Sequence, residues 1–131
     1  IHADGVHIGQ SDMQLVSARE ILGDDKIIGV TAKTVEQAKE AEASGADYLG
    51  SGAVFGSNTK TDAKPMDHAL LQRICESVSI PVVAIGGITS ENAVRLSGRG
   101  IAGIAVVSGI FANPDIEAET RHLLELVNNI L

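Results

Sequence analysis

Two glycine-containing turns carry the residue types that bind anions. Residues 85–90 (IGGITS) follow an apolar run and precede a helical pattern, and residues 106–110 (VVSGI) repeat this arrangement. Glycine lets the backbone approach an anion, and the free N–H groups at the start of a helix point toward it. The sequence therefore predicts a phosphate site formed by the two turns. The alternative is a pair of tight turns that need glycine for packing alone.

A third segment, residues 56–62 (GSNTKTD), combines hydroxyls, an amide and one lysine. This set offers many hydrogen-bond donors and a point charge, which suits a pyrophosphate. The segment is not a Walker A loop, because the spacing G-x-x-x-x-G-K-[ST] is absent. The alternative is a solvated surface loop that binds no ligand.

A carboxylate and a hydroxyl follow two further strand-like runs. Asp12 comes shortly after residues 5–9 (GVHIG), where it could hold Mg²⁺ against phosphates. Its alternative role is to cap the helix that follows, and the local sequence alone favours the cap. Thr31 ends the run 27–31, so its hydroxyl is expected at the same mouth. His7, with apolar neighbours inside the first run, is interpreted as a satisfied core or lumen histidine rather than a catalytic base.

Alternating strands and helices must position these residues. Amphipathic stretches with helical spacing lie between five short runs that are rich in β-branched residues or glycine, as buried parallel strands are. The five runs are residues 5–9, 27–31, 48–52, 82–86 and 102–107. This alternation predicts an α/β protein with a parallel sheet and crossover helices.

Side-chain patterns predict where individual helices begin and which faces they bury. The apolar face of the first helix is predicted from Met13, Val16, Ala18 and Ile21. Thr34 followed by Gln37 predicts a capping box, and Ser90 is a candidate N-cap.

Two architectures fit five such units, an open doubly wound sheet and a piece of a TIM (β/α)8 barrel. A complete barrel has eight units and about 250 residues. The chain begins with Ile1 rather than Met and enters a strand-like run almost at once. We therefore expect an N-terminally truncated partial barrel of about five parallel strands, forming a single domain over residues 1–131.

Composition restricts the class of partner. The formal net charge of −7 argues against a general role on nucleic acid or membrane surfaces, so phosphates must be bound by local devices. Cys75 is the single cysteine, which rules out an internal disulfide and fits a reducing compartment. We expect a cytoplasmic protein that acts on small molecules.

Seven segments, in order along the chain, resemble the thiamine-phosphate synthase family. They are residues 3–12 (ADGVHIGQSD), 29–34 (GVTAKT), 45–50 (GADYLG), 54–55 (VF), 58–63 (NTKTDA), 81–88 (PVVAIGGI) and 105–110 (AVVSGI). The paired glycines are common to many phosphate-binding barrels, whereas the first segment together with the Thr-Lys-x-Asp loop is specific.

The resemblance implies a TIM-barrel transferase of thiamine biosynthesis. Such an enzyme joins a hydroxymethylpyrimidine pyrophosphate to a thiazole phosphate and releases pyrophosphate with Mg²⁺. Asp12 matches one of two Mg²⁺-binding carboxylates, which displaces the cap as the favoured role. Lys60 matches a lysine that contacts the pyrophosphate, and Thr31 a position that is usually serine; both are predicted catalytic. The predicted thiazole-phosphate contacts are Ser57, Asn58, Thr59, Gly87, Val107 and Ser108.

The chain also departs from the family pattern. Family members have an upstream strand with Gln-x-Arg-x-Lys and an Asn-Asp pair that contact the pyrimidine pyrophosphate, and nothing here matches them. Strands 1–3 of the barrel are therefore expected to be absent and the chain alone inactive. The alternatives are a thiazole tautomerase-like barrel and a non-catalytic phosphate-binding fragment that associates with itself or with another fragment.

Overall fold

A computed structural model of the chain describes residues 1–56 and 64–131. In this part of the chain, strands and helices alternate. The strands are β1 (Gly5–Ile8), β2 (Ile27–Thr31), β3 (Tyr48–Gly52), β4 (Val82–Ile85) and β5 (Gly103–Ala105). The helices are α1 (Leu15–Leu22), α2 (Val35–Ala43), α3 (His68–Ser77), α4 (Ser108–Phe111) and α5 (Ile116–Asn128), with a 3-10 helix at Ala93–Leu96.

The five strands form one parallel sheet in the order β1-β2-β3-β4-β5. Each strand is therefore hydrogen-bonded to the next strand in sequence, and a crossover segment connects the two, as in the wall of a TIM barrel. Among the described residues, the outer edges of β1 and β5 have no partner strand. The predicted partial barrel with five parallel strands is confirmed.

Side chains alternate between a buried and an open face of the sheet. Ile28, Leu49 and Ala84 point to the helix layer and are fully buried, whereas Ile27 and Ile85 on the other face are 52% and 43% exposed. The period of two in a strand produces this contrast. The hydrophobic core thus lies between sheet and helices, and the opposite face, which lines the lumen of a barrel, is open.

The predicted apolar face of the first helix was right at Ala18 and wrong at its other three positions. Leu15 and Ala18 are buried, whereas Met13, Val16 and Ile21 are more than half exposed. The helix begins only at Leu15, after Met13. The buried stripe, with its period of 3.6 residues, is therefore counted from Leu15.

Two predictions about helix starts had different outcomes. The Thr34 hydroxyl accepts a hydrogen bond from the Gln37 N–H at 3.1 Å, which confirms the N-cap. Gln37 Oε1 accepts from the Lys33 N–H, one residue before the position expected in a capping box. Ser90 was wrong as an N-cap, because Asn92 precedes the 3-10 helix.

No helix in residues 1–56 or 64–131 is long and apolar enough to cross a membrane.

An ion pair ties the amino ends of the strands to α1. Asp47 Oδ2 accepts from the Ile28 N–H at 2.7 Å and from the Arg19 guanidinium at 2.8 Å. The backbone bond from Ile28, followed by the bond from Arg19, lowers the pKa of the Asp47 carboxyl. Arg19 also donates to the Gly45 carbonyl at 3.1 Å, so one side chain joins α1 to the turn before β3.

A second carboxylate joins the end of α2 to the turn before β4. Glu42 Oε1 accepts from the Ser79 N–H at 2.7 Å, the Ser79 hydroxyl at 2.5 Å and the Ile80 N–H at 3.2 Å. These bonds, the one from the Ser79 side chain foremost, lower the pKa of the Glu42 carboxyl. A group whose pKa is lower in the folded state stabilises the fold when it is ionised.

Glu42→Gln is expected to lower the free energy of unfolding at neutral pH. The loss should shrink as the pH falls from the ordinary carboxyl value of 4.5 through the lowered folded-state value, because protonation weakens the same bonds in the wild type. Urea unfolding over a series of pH values measures this, with Glu40→Gln on the exposed side of α2 as the control for lost charge. A pH-independent difference between wild type and variant would contradict the prediction.

Candidate active site

A cavity of about 700 Å³ opens at the carboxyl ends of the strands. Residues that end or follow all five strands line it, because parallel pairing brings these ends to one edge of the sheet. The lining includes every predicted site residue that falls within the described ranges: Asp12, Thr31, Gly87, Val107 and Ser108. The other predicted residues, Ser57, Asn58, Thr59 and Lys60, lie outside the described residues.

The turns after β4 and β5 pack tightly against their neighbours. Gly87 has a φ of 66°, and a Cβ added there would lie 2.8 Å from the Gly56 carbonyl oxygen. A Cβ on Gly109 would lie 2.3 Å from the carbonyl oxygen of Ile88. The packing interpretation of these glycines is therefore correct for both turns.

The same turns keep backbone donors available. Within the described part of the chain, the N–H groups of Gly87, Val107 and Ser108 donate to no protein acceptor. All three residues line the cavity. Backbone N–H groups that converge on one concave surface are donors of the kind that can bind an anion without a cationic side chain. Packing and anion binding are thus compatible here rather than alternative.

Asp12 does not cap the following helix. That helix begins at Leu15, and Gln14 at its N-cap makes no side-chain cap bond. Asp12 Oδ2 instead accepts from the Gly9 N–H at 2.6 Å, which folds the loop after β1 back on itself and holds the carboxylate at the cavity wall. The cap interpretation was therefore wrong.

The described cavity residues could hold a divalent cation only if phosphate oxygens and water supplied most of its ligands. Asp12 is the one carboxylate among the described lining residues, whose other polar side chains are neutral apart from the Lys33 ammonium. No cluster of three histidine, cysteine or acidic residues that could hold a metal occurs in residues 1–56 and 64–131. Mg²⁺ is usually held by one or two carboxylates together with phosphate oxygens and water, so Asp12 fits as one such ligand.

Among the other polar residues that line the cavity, sequence reasoning gave no role to Gln10 and Lys33. Gln10 Nε2 donates to the Thr31 carbonyl at 2.5 Å and thereby joins the loop after β1 to the end of β2. Lys33 is exposed and places a cation at the cavity wall, two residues after the end of β2. The signal for both was available in the sequence, because each lies two residues after the end of a strand.

The segment after β3 is anchored at both sides of residues 57–63. The Phe55 ring contacts the Arg95 guanidinium, 5.2 Å from the ring centroid, and the His68 ring, which is nearly perpendicular with its centroid 5.0 Å away. His68 Nε2 also hydrogen-bonds the Val54 carbonyl at 3.0 Å, and the Met66 N–H donates to Ala53 at 2.7 Å. The two flanks of residues 57–63 are therefore held against each other, and the flank that ends at Gly56 packs against Gly87.

Comparisons with known proteins agree with this geometry. The family model described as thiamine monophosphate synthase matches residues 1–110. The thiamine-phosphate synthase of Ruminiclostridium cellulolyticum is 54% identical over 129 residues, which is 98% of this chain and 61% of that protein. Thiamine-phosphate synthase 2 of Streptococcus pneumoniae is 53% identical over 131 residues, 100% of this chain and 62% of that protein.

A solved structure shows the same arrangement of elements. Thiamine phosphate pyrophosphorylase from Pyrococcus furiosus superposes with a TM-score of 0.89 at 44% identity, over 98% of this chain and 61% of that chain. This chain thus spans about three fifths of the length of the proteins that it matches.

Gly109→Ala is expected to lower the free energy of unfolding by roughly 1–3 kcal/mol, because the new methyl group must displace the backbone of the neighbouring turn. Gly103→Ala is the matched control, since a Cβ there meets no atom within 4 Å. Urea denaturation of both variants measures the difference. Equal stability of the two variants would show that the turns after β4 and β5 are not in the close contact described.

Proposed function

Because the chain belongs to the thiamine monophosphate synthase family, we propose that it forms the phosphate-binding part of a transferase of thiamine biosynthesis. The complete protein would join 4-amino-5-hydroxymethyl-2-methylpyrimidine pyrophosphate to thiazole phosphate, giving thiamine phosphate and pyrophosphate. One observation carries the proposal: Asp12, Thr31, Gly87, Val107 and Ser108, chosen from the sequence, line a single cavity.

The turns after β4 and β5 are proposed to hold the thiazole phosphate. The available N–H groups of Gly87, Val107 and Ser108 supply the donors. By resemblance, Ser57, Asn58 and Thr59 complete the contacts. Fixing the phosphate holds the thiazole nitrogen in line with the pyrimidine carbon, which replaces a bimolecular encounter by a positioned one.

The opposite wall is proposed to hold the pyrophosphate. Asp12 would be one ligand of Mg²⁺, which when bound would supply positive charge against the departing pyrophosphate. Lys60, by resemblance, and Thr31, at the cavity wall, would donate to the same oxygens. Loss of pyrophosphate from the pyrimidine CH₂ leaves a resonance-stabilised cation, so preorganised donors for the leaving group are the main requirement.

The chain by itself is proposed to be inactive, although the complete protein acts in the cytoplasm on small molecules. The lumen face of the sheet is open, and β1 and β5 expose unpaired edges within the described structure. The pyrimidine side of the cavity consequently has no wall from these residues. Nucleic acid is not among the proposed partners, because the formal net charge of the chain is −7.

Asp12→Asn in the complete protein is expected to reduce kcat/KM for Mg²⁺-dependent pyrophosphate release by about a hundredfold, because the proposed Mg²⁺ loses an anionic ligand and with it part of the stabilisation of the leaving group. Asp4→Asn, at the opposite end of β1, is the matched control and should leave kcat/KM unchanged. A coupled pyrophosphate assay with both substrates measures this. No turnover by the wild-type complete protein would sink the proposed function.

The 131-residue chain expressed alone is expected to self-associate, because unpaired strand edges and an uncovered apolar sheet face favour contact between chains. Light scattering over a range of concentrations measures the mass. A monodisperse monomer at all concentrations would contradict this expectation.

A further inference from the structure

Three polar side chains form a hydrogen-bonded row across the open face of the sheet. His7 Nδ1 lies 3.0 Å from the Tyr48 hydroxyl, and His7 Nε2 lies 2.9 Å from Thr31 Oγ1. His7 lies on β1, Thr31 on β2 and Tyr48 on β3. Only Thr31 lines the cavity at the carboxyl ends, so the row runs from the floor of the sheet to the proposed ligand site.

Glycine on β2 makes the row possible. Gly29 pairs with both His7 and Tyr48, and therefore lies between them in the sheet. A Cβ at position 29 would lie 2.1 Å from the Tyr48 ring. The phenol crosses the bare backbone of β2 to reach the histidine, which fixes both rings by packing as well as by hydrogen bonding.

The charge state of His7 decides how the protons are arranged. Burial lowers the pKa of His7, and the nearby Asp12 carboxylate offsets part of this effect. A neutral imidazole has one N–H donor and one acceptor nitrogen, so its two neighbours must take opposite roles. The phenol is a stronger acid than the threonine alcohol and is the better donor to an imidazole nitrogen.

We propose that Tyr48 and His7 are positioning residues that orient the Thr31 hydroxyl as a hydrogen-bond donor toward an anionic ligand in the cavity. Tyr48 donates to Nδ1, the proton of the ring is on Nε2, and Nε2–H donates to Thr31 Oγ1. The Thr31 hydrogen is then free to point at a phosphate oxygen. In the opposite tautomer, Thr31 would donate to His7 and present only lone pairs to the anion.

The identity of the anion rests on the proposed function, in which Thr31 contacts the pyrophosphate. The proton arrangement does not, because it follows from the two hydrogen bonds and the chemistry of the three groups. The test therefore has one part that needs no turnover and one part that uses inorganic pyrophosphate as the probe.

Nitrogen NMR of the complete protein, labelled with nitrogen-15 in histidine, reports the tautomer directly. We expect wild-type His7 to carry its proton on Nε2, and Tyr48→Phe to shift the population toward the Nδ1–H form. His2, His68 and His122 serve as internal controls in the same spectrum, and His7→Gln assigns the signal. An Nδ1–H tautomer in the wild type would overturn the proposal without any variant.

Calorimetric binding of inorganic pyrophosphate with Mg²⁺ tests the consequence. Thr31→Val and Tyr48→Phe should each weaken binding by about tenfold, since each removes the same hydrogen bond to a charged group. Tyr48→Phe keeps the ring over Gly29, so packing is preserved. The double variant should be no weaker than either single variant, whereas Thr31→Ser should retain wild-type affinity.

Additive losses in the double variant would overturn the proposal, because Tyr48 would then act independently of Thr31. The proposed function would be rejected, and the positioning roles of Tyr48 and His7 kept, if the two substrates gave no turnover while the tautomer was Nε2–H and pyrophosphate binding was non-additive. Normal turnover with an Nδ1–H tautomer would reject the positioning roles and keep the proposed function.

Discussion

The site depends on the parallel hydrogen bonding of five consecutive strands. Buried backbone N–H and C=O groups must be paired, and here each strand pairs with its neighbour in the chain. This pairing places all five carboxyl ends at one edge, so that Asp12 and Ser108, from the two ends of the sheet, line one cavity. Side chains then need only short loops to meet, which is why the residues that line the cavity end or closely follow strands.

Close backbone contacts between loops convert this shared edge into a fixed surface. The turn at Gly87 packs on the segment after β3. Gly109, in turn, packs on the carbonyl group of Ile88, the residue that follows Gly87. Backbone donors are therefore held in place by neighbours rather than by the ligand. A preorganised donor set has little reorganisation left to undergo when an anion binds, which is the property that accurate positioning of a bound phosphate requires.

Much of the fold was predictable because its signals are local. β-Branched runs, their spacing and the glycines of the turns indicated five parallel strands, and the position of Asp12 and Thr31 after strands indicated the cavity. The phase of α1 was not predictable, because it depends on where the helix begins after Gln14. The row from Tyr48 to Thr31 depends on the register between strands, which no local pattern contains. The roles of Lys60, Ser57, Asn58 and Thr59 remain predictions that rest on resemblance.

The Tyr48 ring occupies the space that a side chain at position 29 would need, and this restricts the order in which mutations can accumulate. A methyl group at position 29 and the ring at position 48 exclude each other in the present backbone. A lineage that gains a side chain at 29 must first exchange Tyr48 for a smaller residue, and it then loses the phenol next to His7. The two positions are thus coupled in evolution through space rather than through a shared ligand.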